Sequence, residues 1–270
     1  MAGFTSNILA VIVIYEKTLE ESRSFQSIQP LLDKGLKVLI FDNSPSPQNI
    51  PEDLLYHHSP ENKGVSGAYN FAAVKAKDLG CRWLWLLDDD TLVDPEFLNE
   101  AEAFANQDYE LYVPKIYSNQ RLLSPFGIKR SITFRLDHVN TGRHKLAELR
   151  PINSGMLISL AAFNKAGGYN PELPLDFSDI EFTDRLARVL PDLYVSKVHF
   201  EQAFSGDERP PFEKALTRFR TYARAASVYA ESATHPKNVK KQLLRRAVRL
   251  SARYFSLSFI SVFFKTPFGR

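Results

Sequence analysis

Residues 83–90 read WLWLLDDD, an apolar run followed at once by three acidic residues. Consecutive apolar residues without polar alternation are typical of a strand that is buried on both faces, as in a parallel sheet covered by helices. Open sheets of this kind bind ligands at the carboxyl ends of their strands. The stretch therefore predicts both a central strand and a polar site at its end.

Neighbouring segments repeat the same pattern of strand followed by helix. Predicted strands are ILAVIVI (8–14), LKVLIF (36–41) and residues 54–58, and predicted helices cover about 19–33 and 65–79. Gly35 and Gly80 are expected to end those two helices, and Asp94 and Pro95 are expected to begin another. The alternation predicts a mainly parallel α/β sheet with helices on both faces.

The second half of the chain is predicted to hold mixed strands and then helices. Predicted strands lie at 111–116, 128–134, 156–160 and 194–200, and helices are predicted from about 179, over 212–231 and over about 237–264. We therefore expect a sheet domain over residues 1–205 and a helical extension over residues 206–270.

Composition limits the functions that this chain can have. Hydrophobic residues make up 44% of its 270 residues and charged residues 24%, which excludes collagen-like and wholly disordered proteins. The single cysteine, Cys81, excludes an intrachain disulfide and favours a reducing compartment. A net charge of +3 is too small to suggest nucleic-acid binding. We read neither a signal peptide nor a membrane-spanning stretch, and expect a cytoplasmic protein.

The basic charge is concentrated at the end of the chain. Nine basic residues and no acidic residue follow Glu231. From Val239 onward, apolar residues recur at helical spacing with basic residues beside them. Such a helix is typical of proteins that lie on an anionic membrane surface, which would make this a peripheral membrane protein. The alternatives are packing on the rest of the chain or on a second subunit in a homo-oligomer.

The three acidic residues after WLWLL suggest a cation site. Adjacent carboxylates repel one another, and Asp88 and Asp90 point to the same side if the strand continues. Two carboxylates on one side suit Mg²⁺ or Mn²⁺, and such an ion would hold a diphosphate. A solvated acidic turn is the alternative.

Residues 62–70, NKGVSGAYN, lead into a helix through two glycines. Small residues let a ligand or another backbone approach closely, and a helix N-terminus attracts anions. The segment is neither a Walker A loop nor a G-x-G-x-x-G fingerprint. Close packing of the helix on the sheet is the alternative interpretation.

Taken in order, these motifs resemble the family 2 glycosyltransferases, whose nucleotide-sugar-binding domain has the GT-A fold. The resemblance covers roughly residues 7–205. It rests on an apolar strand ending in Tyr15, on Asp42 after the second strand and on the N-x-G-x-x-x-A-x-N segment at 62–70. It also rests on Asp88-Asp89-Asp90, which is this chain's version of the family's DxD motif.

A further segment resembles one branch of that family. LDFSDIE at residues 175–181, followed by Arg185, is similar to the D-x-x-D-x-E segment of rhamnosyltransferases and galactofuranosyltransferases. The resemblance implies inverting, metal-dependent transfer of a sugar, with Mn²⁺ or Mg²⁺, from a nucleoside diphosphate donor. A dTDP-linked rhamnose donor is favoured and a UDP-linked galactofuranose donor comes next. The implied acceptor is a hydroxyl of a glycan or a lipid-linked glycan.

The resemblance also assigns residues to roles. Asp179 is assigned to the catalytic base, and Asp88, Asp90 and His199 to the metal. The residues assigned to the donor are Tyr15, Asp42, Asn62, Gly64, Asn70 and Asp89, and Asp42 is assigned to its nucleobase or ribose. The residues assigned to the acceptor are Asp176 and Glu181.

Several of these residues also have purely structural interpretations. Ser178 and Glu181 have the spacing of a capping box, and His199 alone is more typical of a packed or surface histidine. Asp179 falls in a first helical turn, where the helix dipole favours the ionised carboxylate that a general base needs.

Two functions of other classes remain open. A sugar-phosphate nucleotidyltransferase also joins an α/β sheet to metal-binding aspartates, but it would need a glycine-rich, basic loop after the first strand, where this chain has Tyr15-Glu16-Lys17. A non-catalytic, membrane-associated scaffold that retains the fold is the second alternative.

Overall fold

The computed structural model of the chain describes residues 3–104, 109–202 and 210–268. The strands are β1 (Ile8–Ile14), β2 (Lys37–Asp42), β3 (Leu55–His58), β4 (Trp83–Asp88), β5 (Thr91–Leu92), β6 (Leu111–Ser118), β7 (Arg121–Ser124), β8 (Phe126–Lys129), β9 (Ile132–Phe134), β10 (Gly142–Lys145), β11 (Leu149–Arg150), β12 (Leu157–Ser159) and β13 (Asp192–Gln202). The α-helices are α1 (Arg23–Ile28), α2 (Gly64–Asp78), α3 (Glu96–Phe104), α4 (Leu160–Lys165), α5 (Ser178–Leu186), α6 (Phe212–Ser232), α7 (Pro236–Tyr254) and α8 (Ser258–Lys265).

The main sheet is mixed, as the sequence predicts. Its strand order is β10-β13-β6-β12-β4-β1-β2-β3, with β5 added to β13 and β7 added to β6. Strands β3, β2, β1 and β4 are adjacent and parallel, whereas β12 runs antiparallel to both β4 and β6. A separate antiparallel sheet has the order β11-β8-β9.

The parallel register brings polar residues to one edge of the main sheet. Ile14 of β1 pairs with Asp42 of β2, and Val13 pairs with Asp88 of β4. The two aspartates therefore end their strands at nearly the same level, on either side of β1. Tyr15 directly follows β1 at this edge.

Helices bury both faces of the parallel strands, which explains why the strand sequences are continuously apolar. Along β1, alternate residues enter two different hydrophobic clusters on the two sides of the sheet. Trp83 and Trp85 belong to the cluster that includes Phe97 of α3, so they are core residues. The other cluster packs α2, α4 and α5 against the sheet.

The helix predicted over 19–33 is interrupted. The structure has a 3₁₀ turn at Leu19–Glu21, then α1, then a 3₁₀ segment at Gln29–Lys34. Ser22 is extended, and its hydroxyl accepts a hydrogen bond of 3.2 Å from the backbone of α1, so α1 begins after it as a new helix. Pro30 has no N–H to continue the α-helical ladder, which accounts for the change to 3₁₀ geometry.

The helix predicted over about 237–264 is also divided in two. Phe255 adopts a left-handed conformation (φ 51°) after α7, and the chain turns back as α8. This reversal buries Phe259 completely against α6, where its ring contacts Phe212 and Phe219. The start of the helical extension, which we predict at residue 206, lies outside the described residues.

The apolar stripe of α7 is occupied by the rest of the chain. Val239, Leu243 and Ala247 are each no more than 1% exposed and belong to a cluster shared with α6 and α8. These three residues of the predicted stripe pack within the chain and are not available for membrane contact. Leu257 and Phe264, the last members of the predicted stripe, are 76% and 58% exposed.

Among the described residues, no helix combines the length and the apolar character that crossing a bilayer requires.

We predict that Phe259→Ala lowers the free energy of unfolding by about 3–5 kcal/mol, because it removes a buried aromatic ring from the α6–α8 contact. Phe264→Ala is the matched control, since this ring of the same helix is 58% exposed. Its cost should stay within about 0.5 kcal/mol. Urea denaturation followed by circular dichroism measures both, and equal costs would contradict the described packing.

Candidate active site

The acidic turn after β4 forms the centre of the candidate site. The Gln202 side-chain amide donates to Asp88 Oδ2 at 3.2 Å and to Asp90 Oδ1 at 3.0 Å. The Tyr69 hydroxyl lies 3.3 Å from Asp88 Oδ1, and the backbone N–H of Asp88 donates to Ser154 Oγ at 3.2 Å. One amide group therefore joins the two carboxylates that the sequence places on the same side.

These carboxyl groups lie in surroundings that disfavour their charge. Burial raises the pKa of Asp88 to about 7, and the neighbouring Asp90 and Asp89 add to the increase. Burial also raises the pKa of Asp90, again with a contribution from Asp89. The hydrogen bonds from Gln202 lower both pKa values, but they do not outweigh these effects. A positive charge at this point would relieve the repulsion.

Asp89 points away from the other two carboxylates of the turn. It forms an ion pair with the Lys17 ammonium group, which comes from the loop after β1. This hydrogen-bonded contact is the main reason that the pKa of Lys17 is raised. The structure therefore brings the loop after β1 against the acidic turn and leaves Asp88 and Asp90 as the pair that faces Gln202.

Asp42 is fully buried, and protein groups already satisfy its carboxylate. The backbone N–H of Ser44 donates to Oδ1 at 2.9 Å, while the Gln48 amide and the Tyr56 hydroxyl donate to Oδ2 at 3.1 and 2.9 Å. Burial alone would raise the pKa of Asp42, but these hydrogen bonds outweigh it and hold the pKa below its ordinary value. Asp42 is thus a fixed anion at the end of β2.

Tyr15 is the accessible residue at the end of β1. Its side chain is 48% exposed, and the next residue, Glu16, has a left-handed backbone (φ 52°). The N–H of Glu16 donates to Ser44 Oγ at 2.8 Å, which ties this turn to the loop after β2. The Tyr15 ring is therefore open to a ligand beside Asp42.

The glycine-containing segment before α2 packs tightly on the loop that precedes α5. At Gly64 (φ 64°) a Cβ atom would lie 2.1 Å from the carbonyl oxygen of Pro174. Asn62 Oδ1 accepts from the N–H of Gly64 at 3.2 Å. Both ends of the Asn70 amide bind the backbone of Tyr169, each at 2.8 Å. In this structure, Gly64 and Asn70 position the loop, and Asn62 is bound within its own segment.

Asp179 lies in the first turn of α5, as predicted. Burial raises its pKa to about 6, and the nearby Asp176 carboxylate contributes in the same direction. The N–H of Ile180 donates to Asp179 Oδ1 at 2.8 Å and opposes that shift. The expected effect of the helix terminus is therefore outweighed by burial, although a carboxyl group with this pKa is still mainly ionised at pH 7.

The predicted capping box at the start of α5 is wrong. The residue before the helix is Phe177, in a left-handed conformation (φ 63°), and Ser178 Oγ donates to the carbonyl of Leu175 at 2.7 Å. Glu181 is buried and instead binds the Arg185 guanidinium through two hydrogen bonds of 2.7 Å. An oppositely charged partner one turn later on the same helix competes with the backbone for this carboxylate.

Asp176 is held by a residue of the helical extension. Arg218 of α6 binds both of its carboxylate oxygens, with Nη2 2.7 Å from Oδ1 and Nη1 in contact with Oδ2. The segment assigned to the acceptor is thereby connected to α6. Arg218 stands out in the sequence only as one of several arginines on a helix.

His199 lies three residues before Gln202 in β13, so the two side chains point to opposite faces of that strand. His199 is exposed, and its ring packs edge-on against Tyr117 with centroids 5.9 Å apart. Over residues 3–104, 109–202 and 210–268, no three side chains of the types His, Cys, Asp and Glu are arranged to hold a metal ion. The side chain that does meet both carboxylates is Gln202.

Sequence reasoning missed Gln202 because the predicted strand ended too early. The apolar pattern of this strand stops at Phe200, whereas β13 continues to Gln202. The extra length pairs with β5, and Thr91 lies opposite Gln202, directly after the acidic turn. Pairing across the sheet, and not local sequence, brings the amide to the site.

Two buried tyrosines connect the acidic turn with α5. The rings of Tyr69 and Tyr169 lie 5.1 Å apart. Burial is the main reason that the pKa values of both hydroxyls are raised, and the charges of Asp88 and Asp179 raise them further in each case. Asp88 and Asp179 therefore act on the same pair of rings, which places the predicted metal ligand and the predicted base in one neighbourhood.

Comparison with known proteins identifies relatives of the chain. A sequence model of the family described as Glycosyl transferase family 2 matches residues 24–161, about half of the chain. The dTDP-rhamnosyl transferase RfbF of Shigella flexneri is 22% identical over 202 residues, which are 70% of this chain and 68% of that protein.

Solved structures of similar fold include two of TarS from S. aureus. One has a TM-score of 0.56 at 17% identity and covers 96% of this chain, although this chain spans only 45% of that TarS chain. A complex of TarS 1–349 with UDP-GlcNAc has a TM-score of 0.54 at 15% identity, covering 92% of this chain and 73% of that chain.

A third similar structure is the mannosyltransferase PcManGT from Pyrobaculum calidifontis in complex with GDP-Man and Mn²⁺. It has a TM-score of 0.51 at 13% identity and covers 96% of this chain and 74% of that chain. These likenesses show a shared fold, and the predicted GT-A-type sheet flanked by helices is confirmed.

Gly64→Ala should lower the free energy of unfolding by about 2–4 kcal/mol, because it adds a clash with Pro174 to the strain of a left-handed backbone. Gly80→Ala is the matched control, since Gly80 has a similar φ (68°) but open space around its Cβ position. It should cost about 1 kcal/mol. If urea denaturation gives equal costs, the tight contact of this segment with the loop before α5 is refuted.

Proposed function

This chain is a member of glycosyl transferase family 2, and on that basis we propose that it transfers a sugar from a nucleoside diphosphate to an acceptor hydroxyl with inversion at the anomeric carbon. The observation that carries the proposal is the shared neighbourhood of the acidic turn and Asp179 around Tyr69 and Tyr169. We assign this chemistry to residues 1–205. Family membership argues against both a nucleotidyltransferase and a scaffold without activity.

A divalent cation, Mn²⁺ or Mg²⁺, is part of the proposal. The donor set fits it, because the Gln202 amide lies within 3.2 Å of one oxygen from Asp88 and one from Asp90. The nitrogen and oxygen of an amide exchange places by a half-turn, so Gln202 can present an oxygen at the same point. Two carboxylates and an amide oxygen form a set that hard cations prefer. When bound, the cation neutralises charge on the leaving diphosphate.

Asp179 is proposed as the general base. A base is most effective when its pKa is near the working pH and it is still ionised there, and burial raises the pKa of Asp179 to about 6. The hydrogen bond from the backbone of Ile180 fixes Oδ1 and leaves Oδ2 as the oxygen for a substrate proton. Asp176 lies three residues earlier, in the turn before α5, and its ion pair with Arg218 orients the acceptor segment.

The reaction is a single displacement. The acceptor oxygen attacks the anomeric carbon from the side opposite the diphosphate, and its proton passes to Asp179. The bond between the anomeric carbon and the diphosphate oxygen breaks, and the nucleoside diphosphate leaves with the electron pair. No covalent enzyme intermediate is required, so the configuration at the anomeric carbon inverts.

The donor that we favour is dTDP-rhamnose, followed by UDP-galactofuranose. The Shigella flexneri relative, named a dTDP-rhamnosyl transferase, supports the first choice. The D-x-x-D-x-E-like segment before and within α5 supports both sugars. Tyr15 at the end of β1 is proposed to contact the nucleoside, and Asp42 can do so only when Gln48 or Tyr56 gives up its hydrogen bond to Oδ2. The proposed acceptor is a hydroxyl of a glycan or a lipid-linked glycan.

Asp179→Asn should lower kcat by about 10²–10⁴-fold, because the amide cannot accept the acceptor proton. With the native enzyme and saturating metal, kcat/KM should fall about tenfold per unit as the pH drops below 6 and level off above it, since only the ionised base is active. A nucleotide-sugar transfer assay measures both.

The exposed Asp33 provides a matched control, because Asp33→Asn makes the same change of side chain away from the site. Near-native turnover of a folded Asp179→Asn variant would remove Asp179 from the mechanism.

Gln202→Ala should weaken Mn²⁺ binding by about ten- to a hundredfold, as loss of a group that holds or orients a metal typically does. His199→Ala should leave it unchanged, because that imidazole packs against Tyr117 on the face of β13 opposite to Gln202. Titration calorimetry without any donor measures both affinities. The opposite result, with His199→Ala weakening binding and Gln202→Ala neutral, would assign the third ligand to the imidazole.

A further inference from the structure

Helix α7 carries a second apolar line that the described residues of the chain leave exposed. Leu244 and Val248 are 37% and 50% exposed, Ala252 is also exposed, and Phe255 after the helix is 94% exposed. Their spacing of four, four and three places them on one side of the helix, away from the stripe that packs on α6. The helix therefore has two apolar sides, and only one of them is buried.

Two further exposed apolar side chains follow at α8, seven residues apart and so on one side of that helix. Leu257 is 76% exposed and Phe264 is 58% exposed. Phe255 itself has a left-handed backbone, which an L-residue other than glycine adopts only at a cost in free energy. A large aromatic ring kept at such a position and fully in solvent is a feature of interaction surfaces.

Basic residues border this apolar line. Arg245 and Arg249 each lie one position after a member of it, Lys241 lies about one turn before Leu244, and Lys240 lies on its other side. In the described part of the chain, no acidic side chain forms an ion pair with these four residues. No acidic residue follows Glu231 in the sequence, so α7 and α8 themselves carry no charge that would compensate them.

The surface lies at the active-site end of the helical extension. The Tyr254 hydroxyl donates to the carbonyl of Pro210 at 2.7 Å, and Phe212 at the start of α6 packs against Tyr254. Arg218, which binds the Asp176 carboxylate, lies on α6 about 9 Å farther along the helix axis than Phe212. The exposed turn between α7 and α8 is therefore close to the segment that holds the proposed base.

We propose that this surface docks the enzyme on an anionic lipid bilayer. The docking surface is defined by Leu244, Val248, Ala252, Phe255, Leu257 and Phe264 with the basic residues beside them. Aromatic and aliphatic side chains enter the interface between headgroups and acyl chains, and lysine and arginine bind the acidic headgroups. A second copy of the chain is a poor occupant, since a two-fold contact would place like charges against each other.

Docking explains how a lipid-borne acceptor would meet Asp179, and in this respect the inference rests on the proposed function. Binding to lipid itself needs neither donor nor metal. Vesicle binding therefore tests the docking surface, and sugar transfer to a water-soluble acceptor tests the proposed function. Either measurement can fail while the other succeeds.

The test is flotation of the full chain with vesicles of neutral phosphatidylcholine, or of phosphatidylcholine containing a third of phosphatidylglycerol. The native protein should bind only the anionic vesicles, and less at high salt. Phe255→Ser/Leu257→Ser and Arg245→Gln/Arg249→Gln should each weaken binding by about tenfold or more. Transfer to a soluble acceptor should be unchanged in both variants.

Val74→Ser/Lys77→Gln is the control, because these exposed residues of α2 offer one apolar and one basic side chain on another surface. It should bind like the native protein. The proposal is overturned if the native chain does not bind anionic vesicles, if neutral vesicles bind equally well, or if the control loses binding as strongly as the docking-surface variants. A native dimer that Phe255→Ser/Leu257→Ser dissociates, without vesicle binding, would identify a second copy as the occupant.

Discussion

Asp88 and Asp90 are held side by side at the end of β4, in surroundings that raise the pKa values of both. A protein normally avoids such a pair, because each ionised carboxylate destabilises the other and neither is well solvated. Here the Gln202 amide hydrogen-bonds to both groups and the Tyr69 hydroxyl to Asp88, and neither partner brings a charge. The site is therefore one that a divalent cation would stabilise, and the proposed chemistry depends on that property.

The fold maintains this arrangement through long-range pairing. The parallel register of β1 with its two neighbours sets Asp42 and Asp88 at one edge, and β13 crosses to that edge through its contact with β5. Tyr69 and Tyr169 fill the space between the turn and α5. The Asn70 amide and Gly64, both in α2, contact the loop that leads to α5. The packing of α2 against this loop therefore helps to position Asp179.

Sequence patterns predicted the elements better than their contacts. The continuous apolar runs predicted the bounds of β1 and β4 to within one residue. The predicted start of a helix near residue 179 correctly set Asp179 in the first turn of α5. Periodicity identified the apolar stripe of α7, but it does not say what covers a stripe, and here α6 does. Gln202 was missed because its role comes from a strand pairing, and the capping box at Glu181 was wrong because Arg185 offers a stronger partner.

The most direct test of the account is the melting temperature of the native chain with a panel of nucleotide sugars, in Mn²⁺ and in EDTA. A ligand that binds only the folded state stabilises it by about 2.7 kcal/mol at a hundredfold excess over its dissociation constant. The account predicts that one nucleoside diphosphate sugar raises the melting temperature in Mn²⁺ and loses that effect in EDTA. A panel in which none does so, or a stabilisation that is the same in EDTA, would contradict it.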